Sequence, residues 1–393
     1  MIDTTFEQLE STFEQGGAEA MFAALAEHLR SERRLHELFD LRLTQARHRA
    51  GLPLVAAKSI DDLADPLRSR MEQAYLEACR EVGGLLLEKG QLREAWMYLR
   101  PVGDKAAMRA ALERLSADEQ QGLYETMIEL AVYEGIAPAF GFQLVLKQYG
   151  LCNAISMFDA EMQNRSRAEK QEIAGLLVRF IHGELLESLK RDIERQQGQP
   201  PHETTIAELV ADRDWLFAAD NYHVDTSHLN SVVRFALLVD DPEVLRLAID
   251  LTEYGRRLSP QFQFAGEAPF GDPFPTSAMF FRGLLGEQTE EALAWFKAQA
   301  EERPVTEAGS GPAEVYIGLL ARLGRYDEAI RALAQLLPPE SRGGHFAPNL
   351  LELAQLGGRY DALREVCRER GDLIGFVVGL LEGASDAAGK PAG

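Results

Sequence analysis

Apolar residues recur along this chain at the spacing of α-helices almost everywhere, and alternating β-branched runs are nearly absent. A clear example follows Asp225, Thr226 and Ser227, which are residue types that cap helices. Apolar side chains then occupy positions i, i+3, i+4, i+7 and i+8: Leu229, Val232, Val233, Ala236 and Leu237. This helix should end near Pro242, because proline disfavours a helical residue before it. The pattern predicts an all-α protein.

Three stretches interrupt the helical pattern and give candidate boundaries. Residues 51–66 separate an N-terminal helical segment from the rest of the chain. Residues 196–201 are polar and end in two prolines, which is typical of a linker. Residues 259–275 form a third interruption, which is rich in proline and phenylalanine. We therefore predict that the chain divides at the second stretch.

The predicted organisation has three parts. An N-terminal helical region covers residues 1–195, and a C-terminal helical repeat region covers residues 204–383. The connection between them should be exposed, because it contains glycine and proline and has no other apolar residue. Residues 384–393 lack large apolar side chains, so we expect a disordered tail there.

A short motif recurs in the C-terminal region. Residues 323–327 read Leu-Gly-Arg-Tyr-Asp, and residues 357–361 read Gly-Gly-Arg-Tyr-Asp, so that Gly324 and Gly358 are 34 positions apart. Glycine permits a tight turn between two helices. Ala329, five residues after Gly324, is small enough for the second helix to approach its neighbour closely. Residues 89–96 have the same glycine-to-alanine spacing, so a repeat-like hairpin is predicted near residues 75–100.

In these segments the chain resembles the tetratricopeptide-repeat family, whose period is about 34 residues, and its irregular α-solenoid relatives. Residues 323–330, 89–96 and 357–366 carry the resemblance. It implies an irregular α-solenoid of stacked helical hairpins, whose concave surface binds a peptide or a helix of a partner protein. It implies no catalytic activity, because the glycine and alanine positions belong to the scaffold and do not identify a partner.

The composition and net charge of the chain argue against several classes of function. The chain has 41 Lys+Arg and 62 Asp+Glu, a net charge of −21, so nucleic-acid binding through phosphate neutralisation is not expected. A membrane span would need a run of about 18 apolar residues, and none occurs. Residues 1–7 are acidic, unlike a secretory signal. Cys79, Cys152 and Cys367 form no CxxC pair, which suits a reducing compartment. We expect a cytoplasmic protein without nucleic-acid or membrane partners.

Residues 222–228 carry the residue types of a metal site. His223, Asp225 and His228 are ligand types for zinc or iron and lie within six positions of each other. On one continuous helix their side chains would point in different directions, because each residue advances by about 100°. In the alternative interpretation, Asp225 or Thr226 caps the following helix and His223 lies in the preceding loop. Both interpretations remain open from the sequence.

The loop at residues 259–275 is a second candidate site. Its four phenylalanines cannot all face water without forming an exposed apolar patch. They either pack back on the helices or form a lid or groove over residues 222–228, to which two acidic side chains of the loop could add a ligand or base. The candidate lid or groove consists of Phe262, Phe264, Glu267, Phe270, Asp272 and Phe274.

Two functions follow from these patterns. We expect a protein–protein interaction scaffold, without a cofactor, that binds a peptide or helix of a partner. The alternative is a metal-dependent enzyme or metal-binding protein that uses His223, Asp225 and His228. Nucleophilic catalysis has little support, since the chain has no Gly-x-Ser-x-Gly motif and no cysteine close in sequence to a histidine. The sequence leaves the partner's identity and the oligomeric state open.

Overall fold

In a computed structural model of the chain, the described residues form helices, turns and loops. The description covers residues 2–55, 59–115, 122–162, 165–302, 305, 309–339 and 346–387. These ranges contain no β-strand, so the predicted all-α class is confirmed. Consecutive helices pack against each other as neighbours, which is compatible with a helical repeat fold.

Contacts divide the chain into two compact units, Met1–Gln148 and Tyr149–Gly393. The first unit is built around four packed helices, and its core includes the buried side chains of Phe22, Leu38, Val82 and Leu86. The predicted interruption at residues 51–66 separates the second and third helices. The helices are α1 (Ile2–Ser31), α2 (Leu35–Arg49), α3 (Leu67–Glu88), α4 (Leu92–Val102), α5 (Lys105–Arg114), α6 (Tyr124–Ile128) and α7 (Pro138–Glu161). Helix α7 continues past residue 148 and kinks at Gly150.

The second unit is a longer succession of helices. Residues 214–220 and 260–262 add short 3-10 turns between them. Its helices after α7 are α8 (Arg167–Gln197), α9 (Ile206–Val210), α10 (Thr226–Ala236), α11 (Pro242–Gly255), α12 (Pro273–Leu284), α13 (Thr289–Glu302), α14 (Gly311–Arg322), α15 (Tyr326–Leu336), α16 (Leu350–Gly357), α17 (Tyr360–Arg370) and α18 (Leu373–Ala387).

The predicted helix after Asp225 is confirmed as α10. Its N-cap is Asp225, whose carboxylate accepts hydrogen bonds from the backbone N–H groups of Ser227 and His228. The helix ends at Ala236, and α11 begins at Pro242, the residue that was expected to stop it. Proline suits this first helical position, because its missing N–H would have no partner inside the helix.

Three helical hairpins share one turn geometry, and they are the three that the repeat motif predicted. The turn glycines have positive φ angles: 72° at Gly90, 73° at Gly324 and 62° at Gly358. Residues other than glycine tolerate such angles poorly. In each turn the following residue donates its backbone N–H to the carbonyl five positions earlier. Five residues after each glycine, Ala95, Ala329 or Leu363 is buried in the second helix. The common turn explains why α3–α4, α14–α15 and α16–α17 form hairpins.

Helix α14 is tied to the end of α10 by a buried arginine. The guanidinium of Arg322 donates hydrogen bonds to the carbonyl oxygens of Leu237, at 2.6 Å, and of Val239. It also contacts the carboxylate of Asp240 at 2.5 Å. Burial lowers the pKa of Arg322 to about 10, and the charge of Asp240 opposes that shift. The side chain therefore stays charged at neutral pH and satisfies carbonyl groups at the end of α10.

The two units do not divide at the predicted linker. Residues 196–200 are exposed and connect α8 to α9 inside the second unit. The reason is visible in α8, whose buried side chains Ile181, Leu185, Leu189 and Ile193 recur every fourth residue. This stripe belongs to the helix that packs against α10 and α11. The connection between residues 195 and 204 therefore joins helices that contact each other, and the division into residues 1–195 and 204–383 stays a prediction.

Two further sequence expectations concern the ends of the fold and the membrane. Residues 384–387, the start of the predicted tail, are the last residues of α18, and residues 388–393 lie outside the described residues. Across the part of the chain that is described, no helix is both long and apolar enough to cross a membrane.

Candidate functional site

His223, the first residue of the predicted metal set, is held by two groups that are distant in sequence. Its Nε2 lies 3.2 Å from Oδ2 of Asp192 in α8, and its Nδ1 lies 3.2 Å from the hydroxyl of Tyr254 in α11. The same hydroxyl accepts a hydrogen bond from the backbone N–H of His223 at 2.8 Å. One neutral tautomer satisfies these contacts, with Nε2–H donating to Asp192 and Nδ1 accepting from Tyr254. Neither ring nitrogen is then available for a metal ion.

Burial dominates the electrostatics of this histidine. The side chain of His223 is only 4 % exposed. Burial lowers the pKa of His223, and the contact with Asp192 opposes this shift only in part. The imidazole is therefore neutral at physiological pH, in a position that links α8, the loop before α10, and α11. Its place is that of a buried structural histidine.

Asp225 and His228 lie near His223 but have different environments. Oδ1 of Asp225 accepts hydrogen bonds from the N–H of Ser227 at 2.9 Å and of His228 at 3.3 Å, so this carboxylate caps α10. All three predicted residues line one open depression of about 690 Å³, together with Glu184, Glu187 and Arg191 of α8. Among the described residues, no group of three or more His, Cys, Asp or Glu side chains has the arrangement of a metal site.

The aromatic loop is largely packed against the helices. The ring of Phe270 lies 6.0 Å from that of Phe280 and 5.8 Å from that of Phe296, and Phe274 is fully buried in α12. Phe262 contacts Tyr222 edge to face at 5.2 Å, so the loop reaches the predicted segment at one aromatic residue. The remaining members of the candidate lid, Phe264, Glu267 and Asp272, are exposed.

A second acid–histidine pair was not found by sequence reasoning. Nε2 of His182 lies 2.9 Å from Oδ2 of Asp250, and the two residues are 9 % and 8 % exposed. Asp250 also accepts hydrogen bonds from the backbone N–H groups of Ile206 at 2.8 Å and Ala207 at 2.7 Å. The carboxylate thus holds the first turn of α9 against α11, where those N–H groups have no partner inside the helix.

This buried pair lines a shallow depression of about 660 Å³. Three arginines contribute to its wall, and two of them already have acidic partners. Arg282 contacts Glu253 at 2.8 Å, and Arg257 contacts Asp214 and the carbonyl oxygen of Val210. Because two of these three charges are paired within the protein, the depression has the properties of a junction between helices.

Helix α18 has two contrasting faces, and sequence reasoning missed this feature. Gly375, Gly379 and Gly383 recur every fourth residue and lie against α17 or the loop before α18, where an added side chain would meet Cys367, Leu363 or Tyr360. The opposite side exposes large apolar side chains, each 45 % to 79 % exposed. We call these five residues the α18 face: Leu373, Ile374, Val377, Leu380 and Leu381.

The α18 face is continuous and uncharged. At about 100° per residue its members cover roughly 120° of the helix surface. Residues 373–381 contain no charged side chain, and the flanking charges, Asp372 and Glu382, are both acidic. A helix that is apolar on all sides is normally buried. The sequence signal was therefore present in the uncharged, largely apolar run of residues 373–381.

No known protein-family model matches this chain, and no curated protein matches it at a significant level.

Proposed function

We propose that this protein is a helical interaction protein, an irregular α-solenoid of the tetratricopeptide-repeat type, that binds a helix of another polypeptide chain on the α18 face. The observation that carries the proposal is the exposure of five large apolar side chains on one side of one helix. Monomeric proteins rarely expose contiguous apolar patches beyond a few hundred Å² unless the patch has a function.

The order of the helices supports this proposal. Helices α14–α15 and α16–α17 form successive hairpins, and α18 packs on α17 through its glycine side. Helix α18 therefore stands where the first helix of a further hairpin would stand. In repeat arrays each repeat buries apolar surface against its neighbours. The outer face of α18 is apolar, so a further helix packed on it would remove that surface from water.

At the other candidate sites, the polar groups that could bind a ligand already have hydrogen-bond partners within the protein. His223 has a partner at each ring nitrogen, and Asp225 caps α10. His182 and Asp250 bond to each other and hold α9. These polar groups are satisfied by the protein itself, whereas the α18 face has no partner among the described residues. The α18 face is therefore the binding site with the stronger support.

Site-specific photo-cross-linking tests the proposal. A benzophenone amino acid replaces Val377, at the centre of the α18 face, in the full-length chain in living cells. The control carries the same amino acid at Gln335, an exposed position on α15. After irradiation, adducts are digested and the cross-linked peptide of the partner is sequenced.

We expect a defined adduct from position 377, formed with an apolar helix face, and little adduct from position 335. Equal yields from the two positions, or adducts scattered over many unrelated peptides, would overturn the proposal. Those outcomes would indicate random collisions and not a docking surface.

A further inference from the structure

We infer that the N-terminal part of α1 binds, as an amphipathic helix, in an apolar groove of a partner polypeptide, and that Lys or Arg side chains border this groove on one side. We call this part the α1 arm and define it as residues 5–16. The inference goes beyond the proposed function, because it concerns the first unit and a different helix from α18.

Gly17 separates the α1 arm from the part of α1 that packs in the first unit. Its φ and ψ angles are 72° and −170°, which interrupt the helix. After this kink, Phe22, Ala26 and Leu29 are buried in the core of the unit. Before it, none of residues 5–16 is buried. The α1 arm is therefore a helical segment that the core of its own unit does not cover.

The α1 arm nevertheless carries an apolar stripe. Phe6 and Phe13 are 63 % and 51 % exposed, and Leu9 is partly exposed. These residues occupy positions i, i+3 and i+7, which cover roughly 60° of the helix surface. Helices that bind in apolar grooves of other proteins use anchors at this spacing. The stripe therefore fits a groove on a partner.

The charged residues of the α1 arm follow one edge of this stripe. Going around the helix from Phe6, Glu10, Glu14 and Glu7 lie at about 40°, 80° and 100°. The other polar positions are uncharged: Thr5, Gln8, Ser11, Thr12 and Gln15. The helix thus has an apolar side, an acidic side next to it, and a neutral polar side.

The acidic side has no basic partner within the described part of the chain. No ion pair to Glu7, Glu10 or Glu14 is present there. No Lys or Arg precedes Arg30 in the sequence, and Arg30 contacts Glu27 and Glu81. Like charges three or four positions apart weaken a helix. Basic side chains of a partner would replace this repulsion by attraction.

Charge therefore selects the partner. Lys or Arg side chains beside an apolar groove would face the acidic side while the groove covers the stripe. A second copy of this chain would bring the same carboxylates together, and each copy has a net charge of −21. A membrane surface also fits poorly, because helices that lie on membranes carry Lys and Arg on their polar side.

Site-specific photo-cross-linking of the purified full-length chain tests this inference. A benzophenone amino acid replaces Phe13 on the stripe, and the chain is irradiated in an extract of the cells that produce it. The control carries the same amino acid at Gln15, which is also exposed and lies about 200° further around the helix. We expect at least about tenfold more adduct from position 13 than from position 15, because anchors at the centre of a docking surface dominate binding.

The cross-linked peptide should be apolar and should have Lys or Arg within a few residues. In the chain labelled at position 13, Glu10→Gln together with Glu14→Gln should lower the yield by about threefold or more. The matched control is Glu88→Gln together with Glu113→Gln, which removes the same charge from exposed positions of α3 and α5. It should leave the yield unchanged. The yield should also be lower in about 0.5 M than in about 0.05 M NaCl, because salt screens attraction between opposite charges.

Several results would overturn the inference: no adduct, equal yields from positions 13 and 15, an adduct with another copy of this chain, or a cross-linked peptide without basic residues. Flotation of the protein with phosphatidylcholine–phosphatidylserine vesicles that Phe13→Gln abolishes would overturn it too, since the arm would then bind lipid. None of these results bears on the α18 face, which the adduct at position 377 tests separately.

Discussion

Ala329 illustrates how one small residue sets the approach of two helices. It is fully buried in α15, five residues after the turn glycine Gly324. Ala329→Leu should therefore overpack the contact and lower the free energy of unfolding by about 1–3 kcal/mol. Urea denaturation measures the change. The same substitution at Ala110, an exposed residue of α5, should shift the midpoint little. An unchanged midpoint in Ala329→Leu would show that the hairpin has free space at this position.

His223 predicts a pH dependence. A histidine in an unfolded chain titrates near pH ~6.5, and burial lowers the pKa of His223 in the folded protein. Above that pH both states are neutral and the residue contributes no pH dependence. As the pH falls below it, the unfolded chain binds a proton that the folded protein does not, so stability decreases until the folded pKa is passed.

We therefore expect the urea midpoint of the wild type to fall from about pH 7 to about pH 5, and the midpoint of His223→Gln to fall less. His202→Gln provides the matched control, because His202 is exposed. It should retain the slope of the wild type. Identical slopes in all three proteins would contradict the assignment of a buried neutral imidazole to His223.

The role of a residue could be predicted from the sequence where its partners are a few positions away. It could not be predicted where its partners are distant in the chain. The turn glycine Gly324 and the N-cap Asp225 act on groups a few positions away, so their spacing revealed them. The partners of His223 are Asp192 and Tyr254, each 31 positions away, and only the packing of α8 and α11 brings them together.

At the scale of elements, α9 is a five-residue helix that depends on one carboxylate. Asp250→Ala removes the acceptor of two backbone N–H groups and leaves His182 without its partner. Breaking a buried pair in this way costs about 3–5 kcal/mol. We expect a lower urea midpoint and faster hydrogen exchange at Ile206 and Ala207 than in the wild type.

The control for this substitution is Asp212→Ala, since Asp212 is an exposed carboxylate just after α9. It should leave the exchange of Ile206 and Ala207 unchanged. If Asp250→Ala also leaves it unchanged, packing alone holds α9, and the carboxylate is not its anchor.

Contacts between helices that are distant in the chain also could not be predicted from the sequence. Arg322 lies two residues before the turn glycine Gly324, and nothing near it in the sequence indicates its partners. Its partners are Asp240 and the last carbonyl groups after α10, more than 80 positions earlier. Similarly, the spacing of the glycines of α18 did not reveal that they pack closely on α17 and leave the α18 face exposed. The sequence contains these residues, but only the packing of the helices shows what Arg322 and the two sides of α18 contact.

At the scale of the whole molecule, the sequence and the compact units suggest different divisions of the chain. The polar stretch 196–201 predicted a domain boundary, because glycine and proline end helices there. The stretch does end α8, at a left-handed Gly198. A break in helix is not a break in packing, however, because the buried stripe of α8 belongs with α10 and α11.

Limited trypsin digestion followed by size-exclusion chromatography separates these two possibilities. The exposed end of α8 should be cut at Arg191 or Arg195 before the turn at Arg325, whose side chain is paired with Glu290 and Glu328. The nicked protein should then elute as one species without denaturant, because the fragment that carries α8 up to the cut stays bound through Ile181, Leu185 and Leu189. The fragments should separate only in urea.

The double variant Arg191→Gln, Arg195→Gln is the control, and it should delay the first cut without changing the elution of the intact chain. Fragments that separate in native buffer would show that residues 1–195 and 204–383 each have their own core, as the linker composition predicted. Fragments that stay together would assign α8 to the core of the second unit. The connection 196–201 would then be a surface loop inside one cooperative structure, because burial of the α8 stripe would hold the fragments together after the peptide bond is cut.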